Sequence, residues 1–257
     1  MDIPEKLIDR LSNAAAVTVL TGAGISAESG VPTFRDAQTG LWERFSPTEL
    51  ASPEAFAQNP RRVWEWYAYR RKLVEGAQPN AGHTALVELE KLVKTFHLVT
   101  QNVDRLHQRA GSKNVVELHG NLFSYKCSRD HELVSENTWL GGTVPPNCYR
   151  CGAPVRPDIV WFGESLPDKE LSEAYAYSRD CDVFLAIGTS GIVHPAATLP
   201  YEAMLNGAMV AEINVNETTL SERAQFTVTG KSGDILPELV NRLRHLQQKA
   251  GARKSAG

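Results

Sequence analysis

A short apolar segment that leads into two closely spaced glycines constrains the fold more than any other feature of this chain. Residues 17–20 are mostly apolar and β-branched, and the turn that follows holds Gly22 and Gly24. Glycine has no Cβ, so the main chain at such a turn can approach a phosphate that rests on backbone N–H groups and on the start of the next helix. Together with Ala27, the turn matches the dinucleotide-binding pattern G-x-G-x-x-G/A. An ordinary tight turn between a strand and a helix is the alternative, and the rest of the chain decides between the two.

Further short apolar runs alternate with helical patterns along the chain. The runs predict strands at residues 17–20, 96–100, 183–187, 209–213 and 225–228. The helical patterns predict helices at residues 4–12, 81–95, 168–178, 196–206 and 236–249. This alternation predicts the α/β class, with a Rossmann-like, doubly wound parallel sheet.

Four of the predicted strands end in polar or glycine-rich turns. The turns are Gly22-Ala23-Gly24, Gln101-Asn102-Val103-Asp104, Gly188-Thr189-Ser190 and Asn214-Val215-Asn216. Ligands of open α/β sheets bind outside the carboxyl ends of the strands. The four turns therefore predict a single polar crevice, with ordinary loop residues as the alternative.

Two segments interrupt the alternation and predict a smaller lobe over the strand ends. Residues 37–80 are rich in prolines and aromatic residues, and residues 120–157 hold three of the four cysteines. A hydride-transferring dinucleotide enzyme would instead place a second strand, ending in Asp or Glu, about 20 residues after the glycines. Here the first insertion occupies that place, after Thr33-Phe34-Arg35-Asp36. The dinucleotide would therefore be held in a different pose, and a redox dehydrogenase is disfavoured.

Composition excludes several classes of protein. The formal net charge of −3 indicates no general affinity for nucleic acid. No stretch approaches the roughly 20 apolar residues of a membrane span, and the first ten residues do not resemble a secretion signal. Four cysteines in 257 residues argue against a disulfide framework and for a reducing compartment, so we expect a cytoplasmic protein.

Five segments in chain order resemble the sirtuins, which are NAD-dependent protein-lysine deacylases. They are GAGISAESGVPTFRD (22–36), TQNVDRLHQRAG (100–111), VVELHGNLF (115–123), RPDIVWFGE (156–164) and AIGTSGIVHPAA (186–197). The resemblance implies a Rossmann-like domain that consumes NAD, formed by residues 1–36, 81–119 and 158–257. It also implies that a helical insertion (37–80) and a zinc-ribbon-like insertion (120–157) form the small lobe.

The resemblance assigns roles to individual residues. His119 would be the general base, which suits an imidazole whose ordinary pKa is about 6.5, and Asn102 would be a second catalytic residue. Phe34 would shield the ribose from water. The residues implied to bind NAD are Gly22, Ala23, Gly24, Ser26, Phe34, Arg35, Gln101, Asn102, Asp104, His119, Gly188, Thr189, Ser190, Asn214, Val215 and Asn216.

A second resemblance concerns the acyl group. Tyr67 and Arg70 lie three residues apart after Pro60, so on a helix they share one face. The pair resembles the Y-x-x-R of the desuccinylase and demalonylase subclass (class III), where it binds the acyl carboxylate, as a guanidinium does well. The alternative is an amphipathic helix whose arginines face water. The segment that would pair with the substrate backbone as an added strand is Val160, Trp161, Phe162 and Gly163.

The metal site departs from the family pattern of two C-x-x-C pairs. Cys148 and Cys151 form one pair, but Cys127 is followed by Asp130 and His131 where the other cysteine is expected. Three cysteines with Asp130 or His131 as the fourth ligand would still bind zinc tetrahedrally. The alternative is a lobe that has lost its metal and kept its fold.

The function implied is the NAD-dependent removal of succinyl, malonyl and acetyl groups from lysines of proteins or peptides, yielding nicotinamide and 2'-O-acyl-ADP-ribose. Two alternatives stay open. One is an NAD glycohydrolase or mono-ADP-ribosyltransferase that uses the same crevice. The other is a non-catalytic NAD-binding scaffold, against which His119, Asn102 and Asp104 argue together.

Overall fold

A parallel six-stranded sheet lies at the centre of the larger of two lobes. The computed structural model describes residues 3–32, 47–140 and 142–255. The strands are β1 Ala16–Thr21, β2 Thr95–Thr100, β3 Val115–Glu117, β4 Gly120–Cys127, β5 Trp139–Leu140, β6 Asn147–Cys148, β7 Val155–Ile159, β8 Val183–Ile187, β9 Met209–Asn214 and β10 Phe226–Thr229. The order in the large sheet is β10-β9-β8-β1-β2-β3. The strand order changes direction around β1, as in a doubly wound sheet.

Helices cover the sheet and build the small lobe. They are α1 Glu5–Asn13, α2 Gly24–Ala27, α3 Pro47–Leu50, α4 Pro53–Gln58, α5 Pro60–Gly76, α6 Ala81–Leu92, α7 Leu106–Ala110, α8 Asp168–Arg179, α9 Leu199–Leu205 and α10 Ser232–Ser255. None of those described combines the length and the apolar character needed to cross a bilayer.

Each face of the large sheet has its own core. Val183, Leu185 and Ile187 of β8 point into a core shared with α1, α6 and α10, whereas Phe184 and Ala186 point into a core shared with α8 and α9. A strand covered on both faces needs apolar residues at every position, which explains the continuous runs in the sequence. The predicted α/β fold with a parallel sheet is confirmed.

The small lobe combines helices with antiparallel strands. Helices α4 and α5 pack around a core that includes Phe56, Val63 and Trp66 and extends to Ile159 of β7. Strand β4 pairs with β7, and β5 pairs with β6. A second, smaller core surrounds Cys127 and Cys148. The exact boundaries expected for the two insertions and the large domain stay predictions.

Several elements differ from the expectations. Strand β3 was not predicted, because a three-residue strand leaves little pattern to detect. Helix α10 begins at Ser232, four residues before the expected start at residue 236. The expected start placed Pro237 in the first turn, where proline is favoured, but the observed helix contains Pro237 in its interior. The helix expected at residues 196–206 begins as a 3₁₀ turn, Ala196–Thr198, before α9.

Three glycines allow the turn after β1 to pack against the turn after β8. The N–H of Gly24 donates to the carbonyl of Gly188 at 2.9 Å. A Cβ on Gly24 would lie 2.7 Å from the Cα of Gly188, and one on Gly22 would lie 2.8 Å from the Gly188 carbonyl oxygen. Gly188 has φ of +58°, and its Cβ would lie 2.6 Å from the nitrogen of Ile25. The contact between the turns therefore requires these glycines, whether or not a phosphate binds beside them.

We expect Gly188→Ala to lower the free energy of unfolding by roughly 2–5 kcal/mol, because it adds a steric clash to the cost of a left-handed backbone. Gly207 is the matched control, since its φ is +87° and a Cβ there meets nothing within 4 Å. Gly207→Ala should cost only roughly 1–2 kcal/mol. Urea unfolding of both variants measures the difference, and equal losses would contradict the clash.

Candidate functional site

The four polar turns meet at one edge of the sheet. Strands β9, β8, β1 and β2 are neighbours, so their carboxyl ends lie side by side. Gln101 Nε2 donates to Thr189 Oγ1 at 2.8 Å, and Asn214 Nδ2 donates to the carbonyl of Thr189 at 2.8 Å. The Gln101 N–H donates to the carbonyl of Thr21 at 3.0 Å. The structure therefore brings together the turns that the sequence placed in a single crevice.

A buried hydrogen-bond network joins the turns after β1 and β2. Ser26 Oγ donates to Asp104 Oδ2 at 2.7 Å, and Asn102 Nδ2 donates to Ser26 Oγ at 3.2 Å and to the carbonyl of Gly22 at 3.1 Å. Burial raises the pKa of the Asp104 carboxyl, while hydrogen bonds from the Leu106 N–H and from Ser26 oppose that rise. Asn102 and Asp104 thus hold the turns after β1 and β2 together.

Four further polar residues contact one another beside this network; of these, the histidines were expected to be structural, whereas Thr21 and Thr100 had no expected role. Thr21 Oγ1 donates to Thr100 Oγ1 at 2.8 Å and lies 2.9 Å from His107 Nε2, and the His83 and His107 rings lie 4.9 Å apart. Burial lowers the pKa of His83 to about 4 and that of His107 to about 3, so both are neutral near pH 7. The one available signal was a threonine ending both β1 and β2, where an apolar residue would otherwise be expected.

His119 lies between β3 and β4, with its ring anchored from one side. Its Nδ1 lies 3.0 Å from the carbonyl oxygen of Gln101. Because a carbonyl oxygen only accepts, Nδ1 carries the proton and Nε2 of the neutral ring is the basic nitrogen. Burial lowers the pKa of His119, although the Gln101 carbonyl favours the charged form. The imidazole is therefore neutral at pH 7 and able to accept a proton.

The backbone beside His119 is tightly constrained. The carbonyl of His119 accepts the N–H of Val160 at 3.0 Å. Gly120 has φ of +76°, and a Cβ there would lie 2.1 Å from the carbonyl oxygen of Asp158. A larger residue at position 120 would separate β4 from β7 and displace the histidine.

Tyr67 and Arg70 are both buried on α5, within the small lobe. As whole residues they are 3% and 9% exposed, whereas the Arg61 side chain on the same helix is 72% exposed. Burial raises the pKa of the Tyr67 phenol and lowers that of Arg70, while Tyr67 and Asp104 favour the charged guanidinium. An amphipathic helix with its arginines in water thus describes Arg61 but not Arg70.

The segment expected to pair with a substrate backbone already uses several of its N–H groups. Those of Val160, Trp161 and Phe162 donate to the His119 carbonyl, to Glu164 Oε2 at 2.8 Å and to the Ala51 carbonyl at 2.9 Å. Trp161 is buried, whereas Phe162 is exposed. Strand addition at this segment stays a prediction and would depend on its carbonyl groups and on Gly163.

The remaining expected NAD residues differ in their surroundings. Asn214 is half-buried, and its Oδ1 accepts the N–H of Val215 at 2.9 Å. Val215 and Asn216 are exposed, and Ser190 is half-buried beside the β8 turn. Phe34 and Arg35 lie outside the described residues.

Three cysteines of the small lobe form a cluster that suits a metal ion. The sulfurs of Cys127, Cys148 and Cys151 all lie within 4.8 Å of one another, and those of Cys127 and Cys151 are 3.4 Å apart. Tetrahedral zinc with Zn–S bonds of about 2.3 Å separates its sulfurs by about 3.8 Å, so the donor set fits structural zinc.

The fourth ligand is not evident from the geometry. Neither Asp130 nor His131 brings a ligand atom within 4.8 Å of all three sulfurs. Asp130 Oδ1 accepts from Arg150 Nη2 at 3.3 Å and from the N–H of Glu132 at 3.0 Å. The choice between Asp130 and His131 stays open.

A model of the Sir2 family matches residues 22–195. The chain belongs to the Sir2 family. This sirtuin is 50% identical over 228 residues to an NAD-dependent protein deacylase of Aquifex aeolicus, covering 89% of this chain and 95% of the relative. It is 46% identical to an NAD-dependent protein deacylase of Pyrococcus furiosus, covering 93% and 97%. The sirtuin resemblance of the sequence is confirmed.

Solved structures of Sir2 homologues share the whole fold of this sirtuin. One, a complex with NAD, superimposes with a TM-score of 0.88 at 44% identity and covers 95% of each chain. Another, a mutant homologue in complex with 2'-O-acetyl ADP-ribose, gives 0.87 at 43% identity and covers 95% of this chain and 98% of the other. These homologues are therefore similar to this sirtuin in sequence as well as in the arrangement of strands and helices.

We expect protein purified without chelator to contain about one zinc per chain, because three clustered thiolates bind zinc strongly. Cys148→Ala should lose the metal. Cys181, a buried cysteine in the core beside α8 and α9, is the control, and Cys181→Ala should keep it. Elemental analysis of the three proteins measures the content, and a zinc-free wild type would mean that the lobe folds without its ion.

Proposed function

We propose that this sirtuin is an NAD-dependent protein-lysine deacylase that prefers succinyl- and malonyl-lysine and retains some activity on acetyl-lysine. The observation that carries the proposal is the burial of Tyr67 and Arg70 together on α5. A buried guanidinium is poorly hydrated and binds a carboxylate strongly, so it favours an acyl group that ends in a carboxylate over an uncharged acetyl group. The names of the relatives support deacylation in general.

NAD is the co-substrate in this proposal. The complexes of Sir2 homologues with NAD and with 2'-O-acetyl ADP-ribose support its use and the acyl transfer to its ribose. The crevice offers polar groups for phosphates and ribose at the β1, β2, β8 and β9 turns, including Ser26, Gln101, Thr189 and Asn214. These residues would hold the dinucleotide with its nicotinamide end towards Asn102 and Asp104.

The reaction consumes acyl-lysine, NAD and water and yields lysine, nicotinamide and 2'-O-acyl-ADP-ribose. The carbonyl oxygen of the acyl-lysine attacks the ribose carbon that bears nicotinamide, and the bond to nicotinamide breaks. His119 Nε2 then takes a proton from the ribose 2'-hydroxyl, whose oxygen attacks the acyl carbon. The bond from the acyl carbon to the lysine nitrogen breaks, and the lysine leaves as the amine after taking up a proton. Water then adds to the acyl carbon, and the bond from that carbon to the oxygen on the first ribose carbon breaks, which leaves the acyl group on the 2'-oxygen. The Nδ1–H of His119, held by the Gln101 carbonyl, leaves Nε2 unprotonated until it accepts that proton.

The partners in this proposal are proteins or peptides that carry acyl-lysine. The substrate backbone would lie along residues 160–163, a segment in which Phe162 is exposed. None of the four cysteines, all of them among the described residues, forms a disulfide, and location in the cytoplasm stays a prediction.

We expect Arg70→Met to lower kcat/KM for a succinyl-lysine peptide by roughly 10- to 150-fold, since a charged hydrogen bond contributes about 1.5–3 kcal/mol. Deacetylation should change little. Arg61→Met, an exposed arginine on the same helix, is the control and should affect neither reaction.

Mass spectrometry of NAD with acetyl-, succinyl- and malonyl-lysine peptides measures these rates. Undiminished desuccinylation by Arg70→Met would refute the acyl preference. Nicotinamide release without acyl-ADP-ribose would instead indicate a glycohydrolase or an ADP-ribosyltransferase, and no turnover would indicate a scaffold.

We expect the acid limb of the pH profile of kcat/KM to lie below the ordinary imidazole pKa of about 6.5. Burial lowers the pKa of His119, and the base must be neutral, so activity falls only when the pH drops through that lowered pKa. His119→Ala should lose roughly 10²–10⁴-fold in rate, and the exposed His245→Ala should leave the profile unchanged. A limb above pH 6.5 that tracks His119 would contradict this assignment.

A further inference from the structure

The phenol of Tyr67 has a hydrogen-bond partner with a fixed role. Trp161 Nε1 lies 2.9 Å from Tyr67 Oη. An indole N–H can only donate, so the phenol oxygen must be the acceptor in this bond. The single proton of the phenol is therefore directed away from Trp161 and is available to another acceptor.

The Trp161 indole is itself held on one face by a buried guanidinium. Arg156 Cζ lies 3.2 Å from the centroid of the Trp161 ring, and Arg156 is 3% exposed. Its Nη1 and Nη2 donate to the two oxygens of Glu164 at 2.6 Å and 2.9 Å. Nη2 also donates to the carbonyl of Ile159 at 2.8 Å, which fixes the guanidinium relative to the end of β7.

Glu164 completes the support from the backbone side. Its Oε2 accepts the N–H of Trp161 at 2.8 Å, so one carboxylate holds both the guanidinium and the main chain of the tryptophan. Burial alone would raise the pKa of Glu164, but the bonds from Arg156 and Trp161 lower it. The carboxylate is therefore charged at neutral pH, and Phe56 packs against the indole with ring centroids 5.2 Å apart.

We propose that Trp161, held by Arg156 and Glu164, is a positioning residue that fixes the Tyr67 phenol as a hydrogen-bond donor to the carboxylate of the acyl group. The inference rests on the proposed function and adds to it a cause of acyl selectivity. A carboxylate only accepts hydrogen bonds, so a phenol whose acceptor site is already occupied matches it. The methyl group of acetyl-lysine offers no acceptor, which would leave the buried phenol proton without a partner.

Trp161→Phe removes the donor and keeps an aromatic ring. Because Trp161 also lies in the segment expected to bind the backbone of every substrate peptide, the readout is the KM for the succinyl-lysine peptide divided by the KM for the acetyl-lysine peptide. We expect Trp161→Phe to raise this ratio roughly 5-fold, as for the loss of one neutral hydrogen bond. In a Tyr67→Phe background, Trp161→Phe should have no further effect on the ratio, because the phenol through which it acts is gone.

Two further variants separate positioning from packing. Phe56→Leu disturbs the packing of the same indole without removing its N–H, so it should lower Tm and leave the ratio of succinyl to acetyl activity unchanged. Arg156→Lys keeps the charge but loses the two-oxygen contact with Glu164, so it should raise the succinyl KM in the same sense as Trp161→Phe. The lysine variant also tests the proposal if Trp161→Phe fails to fold.

Equal losses on both peptides, or additive effects of Trp161→Phe and Tyr67→Phe, would overturn the inference and leave the deacylase proposal in place. A wild-type protein that removes acetyl but not succinyl or malonyl groups would overturn the acyl preference and this inference together. Absence of any wild-type deacylation would overturn the proposed function as well.

Discussion

The contact between the turns after β1 and β8 is the interaction on which the site depends. Because Gly22, Gly24 and Gly188 have no Cβ, the two turns approach to backbone contact. That approach brings the start of α2, at Gly24, next to Gly188. Asn102 then bonds both the Gly22 carbonyl and Ser26, so the β2 turn joins an arrangement that the glycines make possible. The crevice is thus shaped by main-chain packing before any side chain meets a ligand.

The two lobes contribute different chemistry. The large domain supplies hydroxyls, amides and one imidazole held by a carbonyl, all suited to a polar dinucleotide. The small lobe supplies the buried Tyr67 phenol and Arg70 guanidinium, which lie among aromatic rings. The proposed acyl-binding pair and the proposed NAD-binding turns thus lie on different elements of the fold, although Asp104 of the crevice favours the charged form of Arg70.

The sequence predicted the strands and their polar ends, which depend on local pattern. It did not predict hydrogen bonds between residues that are far apart in the chain. The strands β1, β2, β8 and β9 and their polar ends were evident, because burial on both faces demands apolar runs and ligand-facing ends interrupt them. The bond between Tyr67 and Trp161 joins residues 94 apart, and that between Thr21 and His107 joins residues 86 apart, so no periodicity signals them. The missing cysteine was visible at Asp130, yet the identity of the fourth ligand depends on backbone geometry that spacing does not encode.

The ladder between β4 and β7 has a break in its middle. Gly120 and Asn121 pair with Ile159 and Asp158 beside His119, whereas residues 125–127 pair with residues 155–157 near the cysteines. The residues between Asn121 and Tyr125 lie in an irregularity that separates these two stretches. Because the ladder is not continuous, the register near the cysteines does not set the register beside His119. The position of His119 therefore follows from the pairing of Gly120 and Asn121, and not from the pairing next to Cys127.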